Sequence, residues 1–163
     1  MRILVVGARG FLGSHLVARA RANGLDVVAG YREASGDGVV SIDLCDAASI
    51  AKAFQSVSPD IVINSAAYGL NYAQQDLNEA LAANVHGSLK LLEAARAREV
   101  RRFVHIGTCF EYGSYPTPIN ETAALNPTAL YGATKAAATV LMKERAVALG
   151  VPRGLATVRN LGP

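Results

Sequence analysis

The chain has 163 residues, 51% of them hydrophobic and 18% charged, enough apolar side chain to fill one core and too little length for several. Its net charge of +3 comes from scattered basic residues, which gives nucleic acid no stripe to bind while suiting a small phosphate-bearing ligand. No leader pattern and no apolar run of membrane-spanning length is legible, and Cys45 and Cys109 lie far apart without metal-ligand spacing, so the expectation is a soluble, cytoplasmic protein with free thiols, engaging neither membrane nor nucleic acid.

The first element is the apolar run Arg2 to Val6, a buried strand that stops at Gly7. Gly7, Gly10 and Gly13 follow in the spacing G-x-x-G-x-x-G, and a helix is predicted from Phe11 to Ala22, ended by Asn23-Gly24. Leu25 to Gly30 reads as a second strand, and Val39 to Ile42 as a third that ends at Asp43. Asp46 caps a helix to about Ser56, and Pro59-Asp60 leads into the strand Ile61 to Asn64. A loop after Ala67 precedes one long helix from Gln75 to Arg98 and the strand Arg101 to Ile106. A loop rich in Gly, Pro and Thr then leads to a helix from about Tyr131 to Leu149 and a sixth strand from Gly154 to Val158. This alternation predicts a doubly wound, Rossmann-like parallel α/β sheet with strand order 3-2-1-4-5-6 and helices on both faces. Ligands of such sheets gather at the carboxyl ends of the strands, beside the switch point between strands 1 and 4.

Three glycines between a buried strand and a helix let the backbone turn sharply and approach a bound pyrophosphate, whose charge the helix N-terminus favours; the same glycines could also serve tight strand-helix packing alone. Tyr131 and Lys135, four apart on a helix, share one face, so the ammonium is expected near the phenol, lowering its pKa. With Thr108 holding the same oxygen, Tyr131 could exchange a proton with a hydroxyl or carbonyl, the natural partner of hydride transfer. His15, His86 and His105 form no ligand spacing, and no metal is implied.

Taken together these stretches resemble the extended branch of the short-chain dehydrogenase/reductase superfamily, the nucleotide-sugar epimerases, dehydratases and reductases. Gly7 to Leu16 (GARGFLGSHL) is similar to the family's G-x-x-G-F-x-G-x-x-L, which implies that Gly7, Arg9, Gly10, Phe11, Leu12 and Gly13 surround the cofactor. Asp43-Leu44 resembles the acidic-apolar pair that contacts the adenine ring. Asn64-Ser65-Ala66-Ala67 stands where the family often has H-x-A-A beside the cofactor, with Asn in place of His. Asn84-Val85-His86-Gly87 is similar to the N-V-x-G whose Asn supports the proton relay. Thr108, Tyr131 and Lys135 fall on the family's catalytic Ser/Thr, Tyr and Lys, and the last two also touch the cofactor. The resemblance implies a nucleotide-diphosphate sugar as substrate, with hydride transfer as the reaction.

Several finer expectations follow from it. Gly30-Tyr31-Arg32 lacks the carboxylate that binds a ribose 2′-hydroxyl, and Arg9 and Arg32 could instead hold a 2′-phosphate, which favours NADP(H) over NAD(H). Cys109-Phe110 replaces the Asp-Glu pair of the 4,6-dehydratases, which favours a 4-ketoreductase or an epimerase. Glu111 either faces the pocket or caps a turn, and Cys109 is either a proton donor or a packed thiol. Ala80, Ala83 and Ala94 on one long helix, and Ala133, Ala136, Ala137 and Ala148 on the other, suit the helix bundle through which relatives form homodimers, or simply the cover of the sheet. Residues 1–163 form a dinucleotide-binding domain that stops before the family's substrate-binding domain, and Val158 to Pro163 resembles a shortened R-x-x-N-x-x-G-P. The alternative function is a cofactor-binding module without turnover.

Overall fold

The computed structural model describes residues 1–71 and 73–149 and the backbone of the last strand, Leu155–Val158. The expected start of that strand at Gly154, and the motif from Arg159 to Pro163, lie outside the described residues. Six parallel strands run in the order β3-β2-β1-β4-β5-β6, as the alternation of segments predicts. They are β1 (Arg2–Val6), β2 (Asp26–Tyr31), β3 (Val39–Ser41), β4 (Ile61–Asn64), β5 (Arg102–Ile106) and β6 (Leu155–Val158). The helices are α1 (Phe11–Ala22), α2 (Ala47–Val57), α3 (Leu77–Ala80), α4 (Ser88–Ala97) and α5 (Leu130–Ala148).

Side chains alternate across a strand, so β1 feeds two cores. Leu4 and Val6 point to the larger one, where Ile50 and Phe54 of α2, Leu91 and Leu92 of α4 and Met142 of α5 close over the sheet. Ile3 and Val5 point to the smaller one, with Val17 of α1 and Val27 and Ala29 of β2. Helices cover both faces, but unequally. The link from β2 to β3 is a bent loop without a helix, so α1 works alone on its side among the described residues. No helix among them is long and apolar enough to cross a membrane.

The long helix predicted from Gln75 to Arg98 begins later, behind the Asp76 carboxylate that accepts from the Glu79 amide. Its middle, Leu81–Gly87, is wound as a π-helix between α3 and α4, a feature the apolar periodicity does not announce. Gly87 in this segment is required by contact, because a Cβ there would lie 2.7 Å from the Leu44 Cβ and 2.9 Å from the Leu44 carbonyl oxygen. The loop after β3 therefore rests directly on the π segment.

Candidate functional site

The switch point opens between β1 and β4, and the turn that follows β1 is shaped by its glycines. Gly7 has φ +81°, and a Cβ on it would fall 2.5 Å from the Ala66 nitrogen. A Cβ on Gly13 would fall 2.3 Å from the Gly7 carbonyl oxygen, so α1 lies against the end of β1 at a distance only glycine permits. Gly10 is the N-cap of α1 and supplies no side-chain cap, and the first turn carries no acid. By helix geometry the amides of Phe11, Leu12 and Gly13 have no intrahelical acceptor, which makes this end a natural seat for an anion.

A cavity of about 660 Å³ spreads from this turn over the carboxyl ends of β1 to β4. Gly7, Arg9 and Gly10 line it beside Tyr31 and Arg32 at the end of β2, Asp43 and Leu44 after β3, and Ala66 and Ala67 after β4. The Arg9 guanidinium lies over the Tyr31 ring, 4.1 Å from its centroid, a cation–π contact that fixes a positive charge at this edge. Asp43 is held by its own turn, its Oδ1 accepting from the Cys45 amide at 2.9 Å and its amide donating to Ser49 Oγ at 3.0 Å. Partial desolvation and the Asp43 carboxylate push the Cys45 thiol up, away from the reactive thiolate.

Other residues singled out from the sequence stand behind this wall. Asn64 is fully buried, its Nδ2 donating to Ser88 Oγ at 3.0 Å and its Oδ1 accepting from the Ala66 amide at 3.2 Å. Ser65 ties β4 to β1 by donating its hydroxyl to the Val6 carbonyl at 2.7 Å. Phe11, 84% exposed, and Leu12 project outward from α1, while Gly13 is buried in the helix contact. The sequence reading missed the opposite wall, which Tyr68, Gln74, Asn78 and Glu79 contribute. The only sequence signal for it is a polar stretch before a helix, which is indistinguishable from an ordinary solvated start.

Beyond β4 lies a second, drier region. Asn84, on the π segment, is fully buried and bonded at every polar position. It accepts from the Tyr68 amide at 2.8 Å and donates to the Tyr68 carbonyl at 2.8 Å and to Thr134 Oγ1 at 2.9 Å. Thr134 is on α5 between Tyr131 and Lys135, so Asn84 joins the loop after β4 to the helix that carries both. Gly132 lets that helix reach the turn after β5, since a Cβ there would lie 2.3 Å from the Phe110 carbonyl oxygen. The Phe110 ring meets Tyr131 edge-on, with centroids 6.0 Å apart.

Thr108 opens the short 3-10 turn Cys109–Glu111 as a capping box with Glu111, the carboxylate accepting from the Thr108 amide at 3.0 Å. Of the two sequence alternatives for Glu111, the structure realises the cap, with the side chain fully buried. Lys135 is also buried, and its ammonium donates to the Ile106 carbonyl at 2.7 Å and lies 3.4 Å from His105 Nε2. Burial pulls its pKa down to about 8, against an upward pull from the Glu111 carboxylate. The expected lowering of the Tyr131 pKa is overturned. Desolvation pushes the phenol up, the nearby Thr108 hydroxyl opposes it in part, and Glu111 and Cys109 add to the push. The physical reason is that Lys135 has turned to Ile106 and His105, while the half-buried Tyr131 packs against the Phe110 ring. The remaining histidines lie elsewhere, with His15 bonded to the Phe11 carbonyl on α1 and His86 exposed on the π segment.

Residues 3–155 match a family model described as the NAD dependent epimerase/dehydratase family. A dTDP-glucose 4,6-dehydratase of Mycolicibacterium smegmatis is 34% identical across 100% of this chain and 54% of its own length. A 3-diazoavenalumate denitrifying reductase of a Streptomyces species is 34% identical over 73% of this chain and 41% of its own. A Thermus thermophilus UDP-glucose 4-epimerase, solved in complex with NAD, superposes with a TM-score of 0.84 at 31% identity, covering 98% of this chain and 54% of that one. The chain thus spans about half the length of the curated relatives it matches.

Proposed function

Since this chain belongs to the NAD-dependent epimerase/dehydratase family, which residues 3–155 match, we propose that it is the cofactor-binding and catalytic half of an NAD(P)-dependent enzyme acting on a nucleotide-diphosphate sugar. The observation that carries the reading is the glycine turn, where a Cβ on Gly7 or Gly13 would strike backbone and where the uncapped start of α1 meets a cavity of cofactor dimensions. That cradle fits a pyrophosphate, with Leu44 offering an apolar seat for an adenine and Arg9 and Arg32 two cations for a 2′-phosphate. These cations favour NADP(H) over the NAD of the solved neighbours. Asn64 and Ser65 serve as supports that hold Ala66 and Ala67 against the cofactor.

The bound nicotinamide supplies or accepts the hydride. Tyr131 handles the proton at the substrate oxygen and Thr108 orients that oxygen, while Lys135 holds its ammonium at the end of β5 and Asn84 fixes the helix turn between Tyr131 and Lys135. A phenol pushed up in pKa stays protonated at neutral pH and is suited to deliver its proton to a carbonyl oxygen as that oxygen gains charge. This direction is that of a 4-ketoreductase, and of one half-cycle of an epimerase. Water elimination needs an additional acid-base pair, and where the dehydratases carry Asp-Glu this chain presents Cys109 and Phe110, the latter's ring against Tyr131. A homodimer through the two long stretches of helix, Leu77–Ala97 and Leu130–Ala148, and a cytoplasmic location complete the proposal.

Fluorescence titration of the purified chain with NADPH and NADH tests the cradle, and tighter NADPH binding is the expected result. A preference for NADH removes the 2′-phosphate assignment and shifts the reading to an epimerase. Hydride transfer to a nucleotide 4-ketosugar by the protein, lost in Tyr131→Phe with cofactor binding retained, is expected of an enzyme. Transfer that survives in the variant overturns the catalytic assignment, and a wild-type chain that binds cofactor without transfer points to the non-catalytic module.

A further inference from the structure

Beneath the Thr108, Tyr131 and Lys135 side chains lies a carboxylate to which neither the proposed chemistry nor the family motif gives a task. Glu111 is fully enclosed between the end of β5 and α5. Its Oε1 accepts from the Thr108 amide at 3.0 Å and from Thr139 Oγ1 at 3.2 Å. Thr139 is one helical turn beyond Lys135 on the same face of α5, so the carboxylate bridges the residue that opens the turn and the helix that carries the lysine. Lys135 is itself enclosed, with a backbone carbonyl and a histidine ring as its contacts. The Glu111 carboxyl, tied to Thr139, and the Lys135 ammonium thus lie along one face of α5, where a nearby opposite charge favours the ionised form of each.

We propose that Glu111 is a positioning residue of the candidate site, holding Thr108 by its amide and providing the fixed negative charge that faces the Lys135 ammonium. The inference rests on the reading of Thr108, Tyr131 and Lys135 as the reacting set. Among the described residues, the other groups that face Lys135 are His105 from β5 and Tyr131 one turn earlier on α5. The π segment contributes Asn84, which is neutral and bonded to Thr134, and α4 contributes Glu93, which is paired with Arg145 at the exposed far end of α5. Among the described residues, Glu111 is therefore the anion that acts on the lysine. Burial and this carboxylate pull Lys135 in opposite directions, and the same charge pushes Tyr131 up. One side chain thus biases both groups toward their protonated forms, the state in which the set can give a proton.

The test is a pH titration of the chain carrying ¹³C-labelled lysine, with the Lys135 signal assigned through Lys135→Met. Glu111→Gln keeps an oxygen for both hydrogen bonds and removes the charge, so the Lys135 midpoint is expected to fall by about one pH unit, the low end of what a close opposite charge contributes. Thr139→Val removes a hydrogen bond and keeps the charge, so its expected effect is a lower melting temperature with the Lys135 midpoint in place. An unchanged midpoint in Glu111→Gln overturns the proposal, as does an equal displacement in both variants, which would mean packing rather than charge. Should Glu111→Gln fail to fold, the Glu111 carboxyl ¹³C shift of the wild-type chain at pH 7 decides: the ionised position supports the proposal and the protonated position overturns it. NADPH titration of the same samples separates the two readings. A wild-type chain that binds neither cofactor while Lys135 still responds to Glu111 retires the catalytic reading alone.

Discussion

The two halves of the site solve opposite problems. Around β1 and β2 the wall is open, and much of what it offers a ligand is backbone: amides at an uncapped helix start and carbon surface left bare by glycine, with two arginines at the rim. Around β5 and α5 the polar groups are buried and already bonded to one another, Thr108 to Glu111, Glu111 to Thr139, Asn84 to Thr134 and Lys135 to Ile106. The first half presents backbone amides that an anion can accept from. The second spends its hydrogen-bonding capacity in advance, so that its few reactive atoms are held in one geometry before any substrate appears.

This contrast can be broken most severely at Gly7. Gly7→Ala puts a Cβ into the Ala66 backbone at a positive φ, and a loss of about 3–5 kcal/mol in urea unfolding is expected. A loss below about 1 kcal/mol would mean that the turn has room, and the close approach of β1 to β4 would have to be abandoned. Next in size is Asn84→Ala, which strands the Tyr68 backbone and the Thr134 hydroxyl in the dry half and is expected to cost about 2–4 kcal/mol. The same assay measures it, and a neutral result would show that the dry half tolerates water. Arg32→Ala works on the open half without touching the fold: NADPH affinity is expected to fall about 10- to 100-fold with NADH nearly unchanged, and equal losses for the two would place Arg32 elsewhere on the cofactor.

A pH dependence probes the buried half without a change in any contact. Lys135 has a folded pKa of about 8 against an ordinary 10.5, so between these values the unfolded chain binds more protons and stability rises with pH. Tyr131 acts in reverse: its raised pKa makes the unfolded chain lose its proton first, and stability falls as pH climbs above 10. Chemical denaturation of wild type and Lys135→Met across this range is expected to show the wild type gaining relative to the variant from about pH 8 to 10.5. A flat difference would mean that Lys135 is hydrated in solution.

Much of the open half was legible in the sequence, because its features are local. A strand ending in spaced glycines dictates its own turn, and the alternation of segments dictates the strand order. The dry half was only partly legible. The Tyr131-Lys135 spacing correctly puts both residues on α5, yet spacing says nothing of where a long side chain ends, and the Lys135 ammonium goes to Ile106 instead of easing the phenol's ionisation. Glu111 looked ambiguous because a carboxylate in a loop has the same sequence signature whether it faces water or caps a buried turn. Asn64 and Ser65 match positions beside a cofactor, but hydrogen bonds to Ser88 and Val6 make them braces of the wall. The π winding of Leu81–Gly87 left no trace, since one widened turn barely disturbs an apolar pattern spread over a long helix.

That widened turn acts as a splice between two rotational phases. Upstream and within it, the helix must aim Asn84 at Thr134, while downstream it must aim Leu91, Leu92 and Ala95 at the sheet. Each residue of an α-helix advances the direction of its side chains by about 100°. Rewinding Leu81–Gly87 as an ordinary α-helix at unchanged length would turn the downstream side chains by roughly 100° relative to the upstream ones, so that either the asparagine or the leucines would have to point away from their partners. The winding of this segment is therefore part of the code of the site, as binding as the identity of any residue in it.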